Sequence, residues 1–264
     1  MNIYVPEGKS IKFDQLPYMI RHHIRWGDTN HYRHHHLGNG ETWTMTNEGF
    51  INPTHKKKNK PSKKSKTSKE ERSFSQYKNF KQLYIQGKMK VTIEQADQYA
   101  IKVTGREQYI NKVQVVQNNE ELSIKTDLSN TSSPIRVTVQ LPTLSQLKIA
   151  QTDDIRIADF KEEKLRIETD GESRADIKAF IEVQQLELEL NSRTELDLRG
   201  SGTSLVAQLS DRSELDASHF AVKTAQVTIK DRGAASLAVS DTLVQAVKDR
   251  GTVRVDGEPV VIRR

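Results

Sequence analysis

The sequence predicts an all-β solenoid over its C-terminal two-thirds, on three observations: a repeat of about twenty residues, period-two alternation of apolar and polar side chains, and no sustained helical stripe. Of 264 residues only 34% are hydrophobic and 6% aromatic. Two compact α/β domains would be hard to fill with so few large apolar side chains. A solenoid tolerates the shortage, because each coil buries a thin inner stripe and exposes the rest.

The repeat is the strongest of these signals. Each unit combines an alternating triplet, a polar turn rich in Asp and Arg, and a second short alternating strand. The triplets and turns run Leu147–Ile149 with Thr152-Asp153-Asp154, Leu165–Ile167 with Asp170-Gly171-Glu172, and Leu186–Leu190 with Asn191-Ser192-Arg193. They continue with Leu205–Leu209 and Ser210-Asp211-Arg212, Val227–Ile229 and Lys230-Asp231-Arg232, then Val247 and Lys248-Asp249-Arg250. Taking Thr152, Gly171, Ser192, Asp211, Asp231 and Asp249 as equivalent gives near-equal steps of about twenty residues, the mark of stacked supersecondary units. One such unit cannot bury its apolar stripe alone, but stacked units cover one another. Leu188, Leu190, Leu196, Leu198, Leu209, Leu215, Ile229 and Leu237 are then expected to point inward, with Ala207, Ala217 and Ala235 narrowing the cross-section. Gln245 also falls on an inward position, near the C-terminal end where the layer is less enclosed.

Ahead of the repeat, from Phe74, the texture is already β. Leu83–Ile85, Met89–Ile93, Tyr99–Val103, Leu122–Ile124 and Ile135–Val139 alternate, and Gly87, Ala96-Asp97, Gly105 and Asn118-Asn119 read as turns. Leu141-Pro142 should end a strand. Little helix is expected.

The net charge of +6 is not spread evenly. Residues 51–72 hold eight Lys and one Arg against two Glu, whereas residues 1–50 balance at five of each sign. Residues 51–73 therefore read as a Lys-rich disordered linker, with no apolar residue between His55 and Arg72 to drive ordering. Residues 1–50 form an irregular, His-rich segment with strand-like pieces at Ile3–Val5 and Ile11–Phe13, and residues 74–264 form the β domain. The chain lacks cysteine, which removes disulfides and thiolate chemistry. No run of about 18 apolar residues is present to span a bilayer, and Met1–Asp14 lacks the apolar stretch of a signal peptide. For an exported protein, a signal or anchor is expected upstream.

Two resemblances rest on particular residues. Phe80–Gly87, followed by Val91–Asp97 and Tyr99–Val103, and the closing Val255-Asp-Gly-Glu-Pro-Val260, resemble the putative auto-transporter adhesin, head GIN domain family over residues 77–262. That resemblance implies a right-handed parallel β-helix, with coils of roughly 18–21 residues, behind a β-sandwich-like start. It also implies a Bacteroidetes-type envelope protein of periplasmic or cell-surface location. The family's Ser-Gly-Ala turns are here replaced in part by Ser192-Arg193 and Asp211-Arg212. Tyr4–Asp14 and Trp43–Gly49 are similar to the extramembrane tail of phage-shock-protein-C-like membrane proteins, implying membrane association through segments upstream. Neither family supplies catalytic residues or a cofactor.

Three surface features could carry chemistry. The recurring Arg193, Arg212, Arg232 and Arg250, beside Asp211, Asp231 and Asp249, would form columns whose equivalent side chains sit about 4.8 Å apart in a parallel stack. They read either as self-compensating turns, with Asp neutralising Arg and bonding backbone, or as a stripe that grips a glycan or acidic envelope partner. Seven of eight histidines lie before residue 56, and His31, His34, His35 and His36 could capture a metal, although nothing fixes their geometry. The lysine run suits polyanions but has no interleaved aromatic, so nucleic acid is not an expected partner. Enzyme chemistry is not expected: His219 has no evident partner, and Gly200-Ser-Gly202 lacks the strand–helix context of a phosphate loop. The expected function is a noncatalytic extracytoplasmic binding or scaffold module. The alternatives are the sensor of a membrane-anchored envelope-stress regulator and a polysaccharide-active β-helix enzyme, which would need converging carboxylates.

Overall fold

The computed structural model describes residues 9–12, 42–46, 49–51, 69–128, 134–152, 154–170 and 175–264. The chain divides into two units, Met1–Lys63 and Lys64–Arg264. In the first, β1 (Ser10–Lys12), β2 (Thr42–Thr46) and β3 (Gly49–Ile51) form an antiparallel sheet in that order. β1 falls on the Ile11–Phe13 signal. The Ile3–Val5 piece, the lysine run up to Ser68 and the proposed metal ligands His31, His34, His35 and His36 lie outside the described residues.

The second unit is the solenoid. Five long strands, β12 (Asp154–Asp170), β13 (Asp176–Leu190), β14 (Glu195–Leu209), β15 (Glu214–Ile229) and β16 (Ala234–Val247), each make one coil and pair in parallel with the next. Two short strands, β17 (Thr252–Asp256) and β18 (Val260–Arg263), continue the stack on two arms of β16. Alternation accounts for the shape. In β13, Ile177, Ala179, Ile181 and Val183 are buried, exposed Gln184-Gln185 breaks the phase, and Leu186, Leu188 and Leu190 are buried again. Two neighbours pointing outward mark a corner, so one continuous strand wraps the core.

The register makes the repeat explicit. Leu147, Ile167, Leu188, Ala207, Val227 and Gln245 lie one above another, so the inward column recurs once per coil. All but Gln245 are buried. Gln245 occupies the inward column but is only partly covered, as its place near the last coil requires. The expected inward leucines and alanines are all buried. One anchor of the sequence repeat shifts: the left-handed turn residue of the first coil is Gln151 (φ 56°), equivalent to Ser192 (φ 64°), and Thr152 follows it. The reason is that Ala150 pairs with Asp170, so the turn begins directly after it.

Before the coils, β5 (Gln82–Gln86), β6 (Lys90–Gln95), β9 (Glu121–Lys125), β10 (Arg136–Leu141) and β11 (Gln146–Ala150) extend the arms in parallel. β5 lies between β9 and β11, and β6 between β10 and β12, so these two early strands are inserted within the stack rather than added at its end. The outer edges are antiparallel: β4 (Lys69–Phe74) on β7 (Ala100–Arg106), β7 on β10, and β8 (Gln114–Asn118) on β9. Both sets of arms turn their buried side chains into one core, with Phe80, Phe160 and Phe220 among its largest members.

Two local expectations change. β4 begins at Lys69, inside the segment read as linker, because Arg72 donates to the Ile110 carbonyl (2.7 Å) and stacks over Phe74 (5.0 Å). Gly105 lies within β7 rather than in a turn, where a Cβ would meet Ile110 Cγ2 at 3.0 Å. That contact seats the short helix α1 (Glu107–Ile110), the one helix among the described residues.

Candidate functional site

Parallel stacking turns every outward position into a column, and one column sits at the turn from each coil to the next. There Ser192, Asp211, Asp231 and Asp249 adopt φ between 59° and 64°. Asp and Asn tolerate this left-handed conformation better than most residues, because their short polar side chains bond locally. Here the bond reaches the neighbouring coil. Asp211 Oδ2 accepts the Ser192 N–H (3.1 Å), Asp231 Oδ2 that of Asp211 (3.5 Å), and Asp249 Oδ2 that of Asp231 (3.4 Å). The backbone amides of Arg212, Arg232 and Arg250 donate to the preceding turn's carbonyls at 2.8–2.9 Å. Beneath them Asn191 Nδ2 donates to the Thr169 carbonyl (2.9 Å), and Ser210 Oγ donates to Asn191 Oδ1 (2.6 Å). The sequence signal of Asp in each turn therefore reports a coil-to-coil clamp.

The carboxylates are thereby committed to backbone. Among the described residues no ion pair joins Asp211, Asp231 or Asp249 to Arg193, Arg212, Arg232 or Arg250. All four guanidinium-bearing residues are exposed, and Lys230 and Lys248 occupy the same turns. The edge thus presents six cations against three aspartates that face the backbone. Asp231→Ala should cost about 1–2 kcal/mol, through a left-handed non-Gly residue and a lost clamp on Asp211. Asp231→Asn should cost less, and urea unfolding of the two variants checks the order.

On another arm the charges do compensate. Arg166 binds Glu168, Glu187 (3.1 Å) and Glu189 (3.0 Å), and Lys164 binds Glu187 at 2.6 Å. The Lys164 and Arg166 contacts hold the Glu187 carboxyl below its ordinary value, and the Ser218 hydroxyl and amide do the same for Asp216. Carboxylates depressed in the folded state stabilise it above their unfolded values, and that stability is lost as pH falls through the folded values. Melting temperature should therefore drop below about pH 4.5, and Glu187→Gln should flatten that drop.

His219 does have neighbours. Its Nδ1 lies 3.1 Å from Ser218 Oγ, which itself donates to Asp216 Oδ1 at 2.6 Å. The hydroxyl proton is directed to the aspartate rather than to the imidazole, and the three residues lie within four positions of one another on a bend of β15. Gly200-Ser-Gly202, weighed as a phosphate loop, lies within β14. Gly200 (φ 119°) turns the corner against the Ile181 backbone, and a Cβ on Gly202 would stand 3.0 Å from Phe220 Cζ, so Gly202 makes room for the next coil's ring. Among the described residues no three metal-ligating side chains converge.

Sequence reading missed one outward group. Phe180, 37% exposed, stands between Arg156 and Arg199, whose guanidinium carbons are each 5.7 Å from its ring centroid. The signal was present, since Ile177, Ala179 and Ile181 fix the inward phase and leave an aromatic on the wet side.

Comparison with known proteins follows the same outline. The family model described as putative auto-transporter adhesin, head GIN domain, matches residues 79–259. A putative adhesin from Bacteroides fragilis superposes with a TM-score of 0.64 at 15% identity, over 74% of this chain and 96% of that one. A putative adhesin from Parabacteroides distasonis gives 0.57 at 16% identity, over 75% and 93%. A putative lipid binding protein from the same organism gives 0.51 at 12%, over 74% and 94%. No curated protein matches the chain in sequence.

Proposed function

Since the chain belongs to the putative auto-transporter adhesin, head GIN domain family, we propose that it is a noncatalytic, extracytoplasmic binding module of the bacterial envelope that grips an extended anionic glycan along its arginine edge. The family description, and structural neighbours described as putative adhesins or a putative lipid binding protein, support a binding role. One observation carries the ligand class: Asp211, Asp231 and Asp249 direct their carboxylates to backbone amides, which leaves Arg193, Arg212, Arg232 and Arg250 outward and without ion-pair partners among the described residues.

The spacing suits a polymer. Stacked coils repeat every ~4.8 Å, so consecutive guanidinium forks present a regular row of donors to carboxylates or sulfates strung along a chain. Arg serves this better than Lys, because its planar fork binds a carboxylate through two parallel bonds. Such an edge works as a strip and needs no pocket.

Polygalacturonate and neutral dextran provide the test, measured against the intact protein by interferometry at several salt concentrations. Polygalacturonate should bind and dextran should not engage this edge. Replacing Arg212, Arg232 and Arg250 together by Gln should weaken polygalacturonate at least tenfold and flatten its salt dependence, since screening acts on exposed charges. Retention of full affinity by the triple variant would sink the proposal. Protease accessibility on cells whose outer membrane has been opened while the inner membrane stays intact tests the location, with resistance of the solenoid counting against it.

A further inference from the structure

We propose a second binding site on a different arm, in which a recess lined by Arg156, with Phe180 beside that arginine, takes one uncharged pyranose unit. It goes beyond the arginine edge in place, ligand charge and mechanism, and would stand if that reading failed.

The recess has a volume of about 390 Å³ and is lined by Thr92, Glu94, Gln95, Arg156, Ala158 and Asp159. That is within the range of small-ligand sites, roughly 300–1,000 Å³. Its walls come from two strands paired in parallel, β6 and β12, with Arg156 beside Thr92 and Ala158 beside Glu94. The strand registry is disturbed next to it, between Ile157 and Phe160, where Asp159 takes φ 60°. A bulge of this kind re-aims side chains and is common beside functional sites.

Two groups of the wall are already fixed. Gln95 donates to the Pro142 carbonyl (2.8 Å) and accepts the Lys161 N–H (3.0 Å), and Glu94 accepts from Gln140 Nε2 (3.1 Å). Fixed walls hold a site's geometry. Thr92 and Asp159, by contrast, make no side-chain hydrogen bond or ion pair among the described residues.

The two arginines beside Phe180 differ in a telling way. Arg199 is held by Asp197 through two bonds of 3.2 and 3.1 Å, as a structural arginine would be. Arg156 shares the same ring at the same 5.7 Å but has no carboxylate partner among the described residues, and it lines the recess. The recess therefore offers, at Arg156, a fork of donors that lies over the Phe180 ring and has no carboxylate partner among the described residues. Inside, Asp159 and Glu94 offer acceptors and Thr92 a hydroxyl. Donors and acceptors around one apolar ring match the hydroxyls and C–H face of a pyranose. A uronate would meet two carboxylates, Glu94 and Asp159, against the single Arg156, so the uncharged sugar is favoured.

Saturation-transfer NMR with methyl glucoside, methyl galactoside, methyl mannoside and methyl glucuronide tests this on the intact protein. At least one neutral glycoside should show transfer and titrate in the millimolar range, with the glucuronide weaker. Phe180→Leu and Arg156→Gln should each weaken it at least fivefold with unchanged melting temperature, as both positions face outward. The triple arginine-edge variant and added salt should leave it unaffected, which separates this site from the first. Absence of transfer from every neutral glycoside, preference for the glucuronide, or survival of binding in both variants would overturn the proposal.

Discussion

Replacing Gly200 by valine should destabilise the solenoid by at least about 3 kcal/mol, through strain and a backbone clash at one position. Two costs coincide. The residue has φ 119°, a conformation that side-chain-bearing residues rarely adopt, and a Cβ would collide with the Ile181 carbonyl oxygen. That oxygen belongs to the backbone of the adjacent coil, paired in register with Gly200, so it cannot move aside without opening the β13–β14 ladder. Even alanine carries the same Cβ, so Gly200→Ala should lose nearly as much. Urea unfolding measures both. Because each coil touches only its neighbours, amide exchange should report the loss first in β13 to β15, with the β4–β10 region protected for longer. An alanine variant as stable as the parent would mean that the corner is not built as described.

Truncating Phe220 to alanine should cost about 3–5 kcal/mol. Its ring is 1% exposed and fills the space that Gly202 leaves empty one coil away. The two positions should also couple. A Cβ on Gly202 would press Phe220 Cζ at 3.0 Å and the Val183 carbonyl at 2.8 Å. Phe220→Leu relieves the first contact and leaves the second, so Gly202→Ala should be less damaging in the Phe220→Leu background than in the parent. A coupling of about 0.5–1 kcal/mol in a double-mutant cycle is the expected reading. Strict additivity would show that ring and glycine do not share one space.

Alternation and period were enough to identify the coils. Leu186, Leu188 and Leu190 announce an inward face, and recurrence of that face about every twenty residues leaves stacking as the way to bury it. The start was less legible. β5, β6, β7, β9 and β10 could be read from their own alternation, but the insertion of β5 between β9 and β11 is a long-range choice with no local signature. Gly105 misled because a strand glycine made for a neighbouring helix looks like a turn. Lys69–Arg72 misled because charge density hid a strand whose stability comes from β7 and Ile110.

The candidate sites divide in the same way. Sequence by itself determined that Arg and Asp recur once per coil, because that follows from the turn repeat, and it carried, unread, the strand phase that turns Phe180 to water. Only tertiary structure decided what each charge does. Asp211, Asp231 and Asp249 could neutralise arginine or clamp backbone, and the choice depends on where the amide of the preceding coil lies, a full turn of the solenoid away. Likewise Arg156 and Arg199 are the same side chain at the same distance from one ring, and only Asp197 distinguishes them. Periodicity is local and can be read along the chain, whereas hydrogen-bond partnership is a distance between coils and exists only once they are stacked.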